Sequence, residues 1–222
     1  MRQVPARATA VVLTLIAVAF AGACSSSQSS KSSSAESTTP ATQPISSILW
    51  PAPPNPMQLA RDAGLVPETA ERLQYHVHAH LDVFIDGKHE VVPGGIGINT
   101  KDPRVHSGII VGYPAYGGIV IPCDHPCISP LHTHDATGIL HTESATHKDN
   151  TLGQFFVEWN VRLDADCVAR YCKPATRIAV YVDGQPHSGD PRAITLSNFK
   201  EIALIIGTPP AQIPSTADWS QI

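Results

Sequence analysis

Ten of the eleven histidines fall between His76 and His147, and two groups of them have the spacing of a metal site. The first is the alternating run His76, His78, His80, Asp82. On a strand, alternate side chains share a face; residues two apart are separated by about 6.8 Å and residues four apart by about 13.5 Å. His76 and His80 are therefore too far apart to grip one ion. One site takes two of the three histidines, and the third is left for a second ion, a supporting hydrogen bond or solvent. The second group is His132, His134, His141 and Glu143. A two-residue turn at Thr137 and Gly138 predicts a hairpin in which His134 faces His141 and His132 faces Glu143. All four then share one face, with cross-strand partners about 5 Å apart. A one-residue slip would send the set to the other face.

Three imidazoles and a carboxylate are a donor set for a divalent first-row ion, with copper(II) or zinc(II) the best matches. Iron is a weaker match, through His134, His141 and Glu143 as a two-histidine-one-carboxylate triad. A three-histidine site with an open position would acidify bound water, and Glu143 would then serve as ligand, general base or hydrogen-bond acceptor. A blue-copper centre is disfavoured: it needs a free thiolate and usually a methionine, the cysteines are expected to pair, and Met57 is the only methionine after Met1. His106, His125 and His147 are reserve ligands, whereas His89 and His187 sit by hairpin turns. Two other readings of the histidines stay open: a surface that titrates near the ordinary imidazole value, and a plain solvated sheet face.

The elements that must position these groups can be read coarsely. Residues 75–85 alternate apolar and polar, which predicts a half-buried strand with Val77, Ala79, Leu81, Val83 and Ile85 inward and the histidines outward. Asp86 and Gly87 close a hairpin that returns through Glu90, Val91 and Val92. A similar strand and turn recurs at residues 178–184. Asn55 and Pro56 predict a short helix over 56–63 that stops at Gly64, and Pro67 opens a second through Leu73. Thr151 and Gln154 form a capping box ahead of Leu152, Phe155, Phe156 and Trp159, the stripe of an amphipathic helix. Residues 202–206 are a continuous apolar run, a buried strand. The fold class is α+β and mostly β: an antiparallel sheet, or a sandwich or barrel-like domain, with one to three short helices.

Composition agrees. The 222 residues include 15 glycines and 20 prolines, which excludes a coiled coil or a helical repeat array. A net charge of −4 gives no reason to expect a nucleic-acid partner. There is no Gly-x-Ser-x-Gly elbow, no phosphate-binding loop and no dinucleotide fingerprint.

Arg2 and Arg7 precede an uncharged run over 8–20, shorter than the about 20 residues that span a bilayer. This is the pattern of a secretory signal. Ala21, Gly22, Ala23 and Cys24 close it and resemble the lipobox of bacterial membrane lipoproteins, in a mycobacterial or actinobacterial style. The resemblance implies cleavage before Cys24 and acylation of that residue, which places the chain at the cell membrane on its extracytoplasmic face. It covers the leader only; the globular stretch resembles no characterised family. Residues 25–47 are rich in serine and lack aromatic side chains, as a flexible tether would be. The organisation expected is a signal peptide over 1–23, a lipidated tether over 24–47, one histidine-rich domain over 48–214 and a tail over 215–222. With Cys24 assigned to lipid, Cys123, Cys127, Cys167 and Cys172 remain. In an oxidising compartment they make two disulfides, and the spacing leaves three pairings open. The functional expectation is a lipid-anchored copper or zinc protein that sequesters the ion or delivers it to a membrane transporter. The alternative is an enzyme on the same residues, a zinc hydratase or hydrolase or a copper or iron oxidase, with Glu143 catalytic.

Overall fold

A computed structural model describes residues 48–222. The leader, Cys24 and the serine-rich stretch lie outside the described residues. The chain opens with α1 (Pro56–Asp62), started by Pro56 behind Asn55 and closed at Ala63 before Gly64. The long strand β1 (Tyr75–Ile85) follows, then β2 (Lys88–Glu90), β3 (His106–Ile110) and β4 (Tyr113–Gly117). After these come β5 (Leu131–His132), β6 (Ile139–Ser144) and α2 (Leu152–Trp159). The small hairpin β7 (Cys167–Val168) and β8 (Tyr171–Cys172) precedes β9 (Ile178–Val182), β10 (Gln185–His187) and β11 (Lys200–Ile206).

One mixed sheet dominates, in the order β10-β9-β11-β1-β6-β5, with β2 also on β1. The sheet is open rather than closed into a barrel. β1 is long enough to use both edges: β11 runs parallel to it along one, while β6 and β2 share the other. The alternation in β1 has the expected sense, with Ala79, Leu81 and Val83 buried. β11 is buried from Glu201 to Ile206, as a central strand with a parallel neighbour and no solvent face should be. α2 covers the apolar face with Leu152, Phe155, Phe156 and Trp159, all essentially buried. Its capping box is formed: the Thr151 hydroxyl accepts from Gln154 N–H and the Gln154 side chain accepts from Thr151 N–H. Trp159 Nε1 donates to the Trp50 carbonyl at 2.9 Å, which ties the proline-rich start of the domain to the core.

The disulfides are Cys123–Cys127 and Cys167–Cys172, each within a short loop. Cys123 and Cys127 sit in a second small core with Ile98, Val105, Ile119 and Ile128.

Two local expectations are corrected. No helix follows Pro67: Glu68 pairs in an antiparallel bridge with Ile128, its N–H donating to the Ile128 carbonyl at 2.7 Å. The backbone groups that a helix would need are already engaged there. The 131–143 hairpin also has a different register. His132 faces His141, and Leu131 faces Thr142. The turn is longer than two residues because Thr133 and His134 leave the ladder. Thr133 N–H donates to Ile96, and the His134 carbonyl accepts from Tyr116 N–H. Asp135 then closes the turn by accepting from Thr137 N–H at 2.8 Å. The shift is two residues, not one, so the histidines keep a common face.

Candidate metal centre

The centre is assembled from two strands and the turn between them. β5 supplies His132, the turn behind it His134, and β6 supplies His141 and Glu143. One donor atom from each of the four lies within 4.8 Å of all the others. His132 is fully buried and Glu143 is 4% exposed, so this is an interior site and not a solvated face.

The hydrogen bonds fix which nitrogens point inward. His132 Nδ1 is 2.8 Å from the Ser129 carbonyl oxygen, and His134 Nδ1 is 2.7 Å from that of Tyr116. A carbonyl only accepts, so both Nδ1 atoms carry the proton and both Nε2 atoms carry a lone pair. Those two Nε2 atoms lie 3.2 Å apart. Two lone pairs held at that distance require a cation or a proton between them. Glu143 Oε1 stands 3.7 Å from His132 Nε2, 3.9 Å from His134 Nε2 and 3.6 Å from His141 Nδ1. A tetrahedral ion with bonds of about 2.0–2.1 Å has ligand atoms about 3.3–3.4 Å apart, so modest contraction closes the shell. Backbone carbonyls on the far nitrogens are the usual way to orient metal-bound imidazoles.

The electrostatics match a cation site. Burial and the neighbouring His134 hold His132 well below the ordinary imidazole range. Burial likewise lowers His141. Burial opposes protonation of His134 too, but the contact with Glu143 and the bond to the Tyr116 carbonyl outweigh it, and its value is raised. Glu143 is pushed up by burial and pulled further down by His134 and His141, so it stays ionised. A proton on His134 would relieve the lone-pair contact when no metal is bound, and a metal ion would take its place.

β1 adds a rim. β6 pairs with β1 so that Glu143 faces His76 and His141 faces His78. His76 Nε2 reaches Glu143 Oε1 at 3.2 Å, and the His78 ring stands edge-on to His141 at 4.6 Å. His76, His78 and His141 also lie within metal-sharing reach. Burial, with His141 and His76 nearby, lowers the His78 value to about 4, leaving a neutral imidazole. His80 is not part of this rim; it turns to Thr137 and Glu201. His106 and His125 are exposed and His147 pairs with exposed Asp149, so none of the reserve candidates joins the centre.

Two buried acids were missed from sequence. Glu158 is fully buried on α2, and burial raises its carboxyl well above the usual range against the opposing effect of the Ser129 side chain. It is a neutral acid beside the residue whose carbonyl orients His132. Nothing in the helical stripe singles it out. Glu201 directly precedes the apolar run of β11, and a lone carboxylate abutting a buried strand was the available signal.

Two glycines make room for the centre. A Cβ at Gly97, whose φ is +72°, would land on the Leu131 carbonyl oxygen and 3.1 Å from His132 Cβ. A Cβ at Gly117 would lie 2.5 Å from His134 Nδ1.

Comparison with protein-family models, with curated proteins and with solved structures finds no match, so what this centre does is read from its own geometry.

Proposed function

We propose that this chain is a lipid-anchored extracytoplasmic metal-binding protein that holds copper(II) or zinc(II) at His132, His134, His141 and Glu143, for sequestration or delivery. The observation that carries this reading is the 3.2 Å approach of the His132 and His134 Nε2 atoms, each imidazole locked by a carbonyl at its other nitrogen. Imidazole nitrogen suits both ions, which stand high in the affinity order. Retention of an ion is favoured over catalysis because Glu143 supplies a fourth donor from within the fold. A catalytic site keeps that position for water. The lipobox-like leader supports membrane anchoring, and a tethered holder would meet a membrane transporter. Cys24→Ser should then release the protein from the membrane fraction.

The test is elemental analysis of the full chain, purified without a histidine tag, after equilibration with copper or zinc and removal of free ion. Retained metal that is lost in His132→Ala, His134→Ala and His141→Ala supports the proposal. A wild-type chain that retains no metal at this centre contradicts it.

A further inference from the structure

A second group of donors lies further along β1, on the same sheet face. His80, Asp82 and Glu201 each offer an atom within 4.8 Å of the others. The parallel register of β1 and β11 sets Glu201 beside His80. His80 Nε2 donates to the Thr137 carbonyl at 2.8 Å, which leaves the lone pair on Nδ1. That lone pair faces Glu201 Oε2 at 2.9 Å and Asp82 Oδ2 at 3.9 Å. Glu201 is 0% exposed, and neither of its oxygens accepts a hydrogen bond of proper geometry. Two carboxylates and an imidazole lone pair thus converge on one point inside the protein. Acceptors brought together out of water are costly unless a positive charge sits among them.

We infer that His80 Nδ1 and the carboxylates of Asp82 and Glu201 form a second divalent-cation site, separate from the histidine-rich centre. The supporting contacts have the form that metal ligands need. His89 Nε2 holds Asp82 Oδ1 at 2.8 Å, and the Thr137 carbonyl fixes the His80 ring. The donor set has one nitrogen and two carboxylates, so it is harder than three imidazoles and suits zinc(II), cobalt(II) or manganese(II) over copper. Two carboxylates also balance the charge of a divalent ion. The Trp219 ring lies 6.2 Å from His80 and packs on Phe199, so this site has an optical reporter beside it. The other tryptophans, Trp50 and Trp159, meet edge-to-face where α2 packs in the core.

The experiment is cobalt(II) loading of the full chain, read by ions retained per chain and by quenching of the Trp219 emission, with Trp219→Phe identifying that emission. The wild type should retain two ions and show quenching. Glu201→Gln should retain one and lose the quenching; Asp82→Asn is the second variant if the first fails to fold. His134→Ala should also retain one ion, with the quenching intact. Both ions and the quenching surviving in Glu201→Gln and Asp82→Asn would overturn the inference: the occupant would then be a proton on His80. A single wild-type ion that only His134→Ala removes would overturn it as well, while leaving the histidine-rich centre standing. A single ion that only Glu201→Gln removes, with the quenching, would support this site, and the histidine-rich centre would still be judged by its copper and zinc retention.

Discussion

His132 and His134 are the residues on which the centre turns, because each has one nitrogen committed to a backbone carbonyl and the other aimed at its partner. Their protonation makes the metal-free protein sensitive to acid. His132 and His141 have depressed values, and His78 falls from 6.5 to about 4. A histidine that is harder to protonate folded than unfolded stabilises the fold above its unfolded value, and that stability is lost as pH falls below it. His134 is raised and acts in the opposite sense: its contribution is present below the unfolded value and lost as pH climbs through the folded one. Burial opposes protonation of His80 as well, but Glu201 outweighs it and the value is raised. Three depressed groups thus stand against two raised ones, and the depressed groups, His132 and His78 above all, dominate. The melting temperature of the metal-free chain should therefore fall between about pH 7.5 and pH 5, by calorimetry. A flat or rising profile would contradict the assigned proton positions. Metal binding at the acid end should release the His134 proton, so affinity should weaken as pH drops through the raised His134 value.

At the scale of elements, β1 was the most legible part. Its alternation is set by burial on one face alone, and Ala79, Leu81 and Val83 take that face. The capping box of α2 is local chemistry within four residues, and it too could be read directly. The register of β5 and β6 could not, because contacts from elsewhere set the turn length. Tyr116 takes the His134 carbonyl and Ile96 takes the Thr133 N–H. The expected partners were wrong, yet the shared face survived because an even shift conserves the side on which a side chain points. The segment after Pro67 failed for the same reason, since Ile128 claims Glu68 from a distant part of the chain. Glu201 as a partner of His80 was invisible without the parallel pairing of β1 with β11. The role of β4 yields a prediction. Gly117→Ala places a methyl group against His134 Nδ1 and disrupts its bond to Tyr116. Loss of such an orienting contact should cost about 10- to 100-fold in metal affinity, measured by competition with a chelator. Unchanged affinity would show that Tyr116 does not orient His134.

At the scale of the molecule, the centre sits where the main sheet meets a smaller core. α2 packs the apolar face of the sheet, and Cys123, Cys127 and Ile128 build the second cluster just ahead of Ser129. That arrangement separates the effects of the two disulfides. Loops this short are worth about 2 kcal/mol each in the chain-entropy account. Replacing either pair with alanine should lower stability by a comparable amount in urea. Only loss of Cys123–Cys127 should also weaken metal binding, because its loop leads into the Ser129 carbonyl that holds His132. Cys167–Cys172 closes the β7–β8 hairpin, which gives the centre no ligand. Equal effects on affinity would contradict this division.

The most direct measurement is X-ray absorption on the full chain loaded with one equivalent of copper(II) or zinc(II). Bound as described, the ion should show a shell dominated by imidazole nitrogen with one carboxylate oxygen, at about 2.0–2.1 Å, and His134→Ala should remove one imidazole from it. A shell of oxygen atoms alone, unchanged by His134→Ala, would mean that the converging imidazoles do not hold the metal.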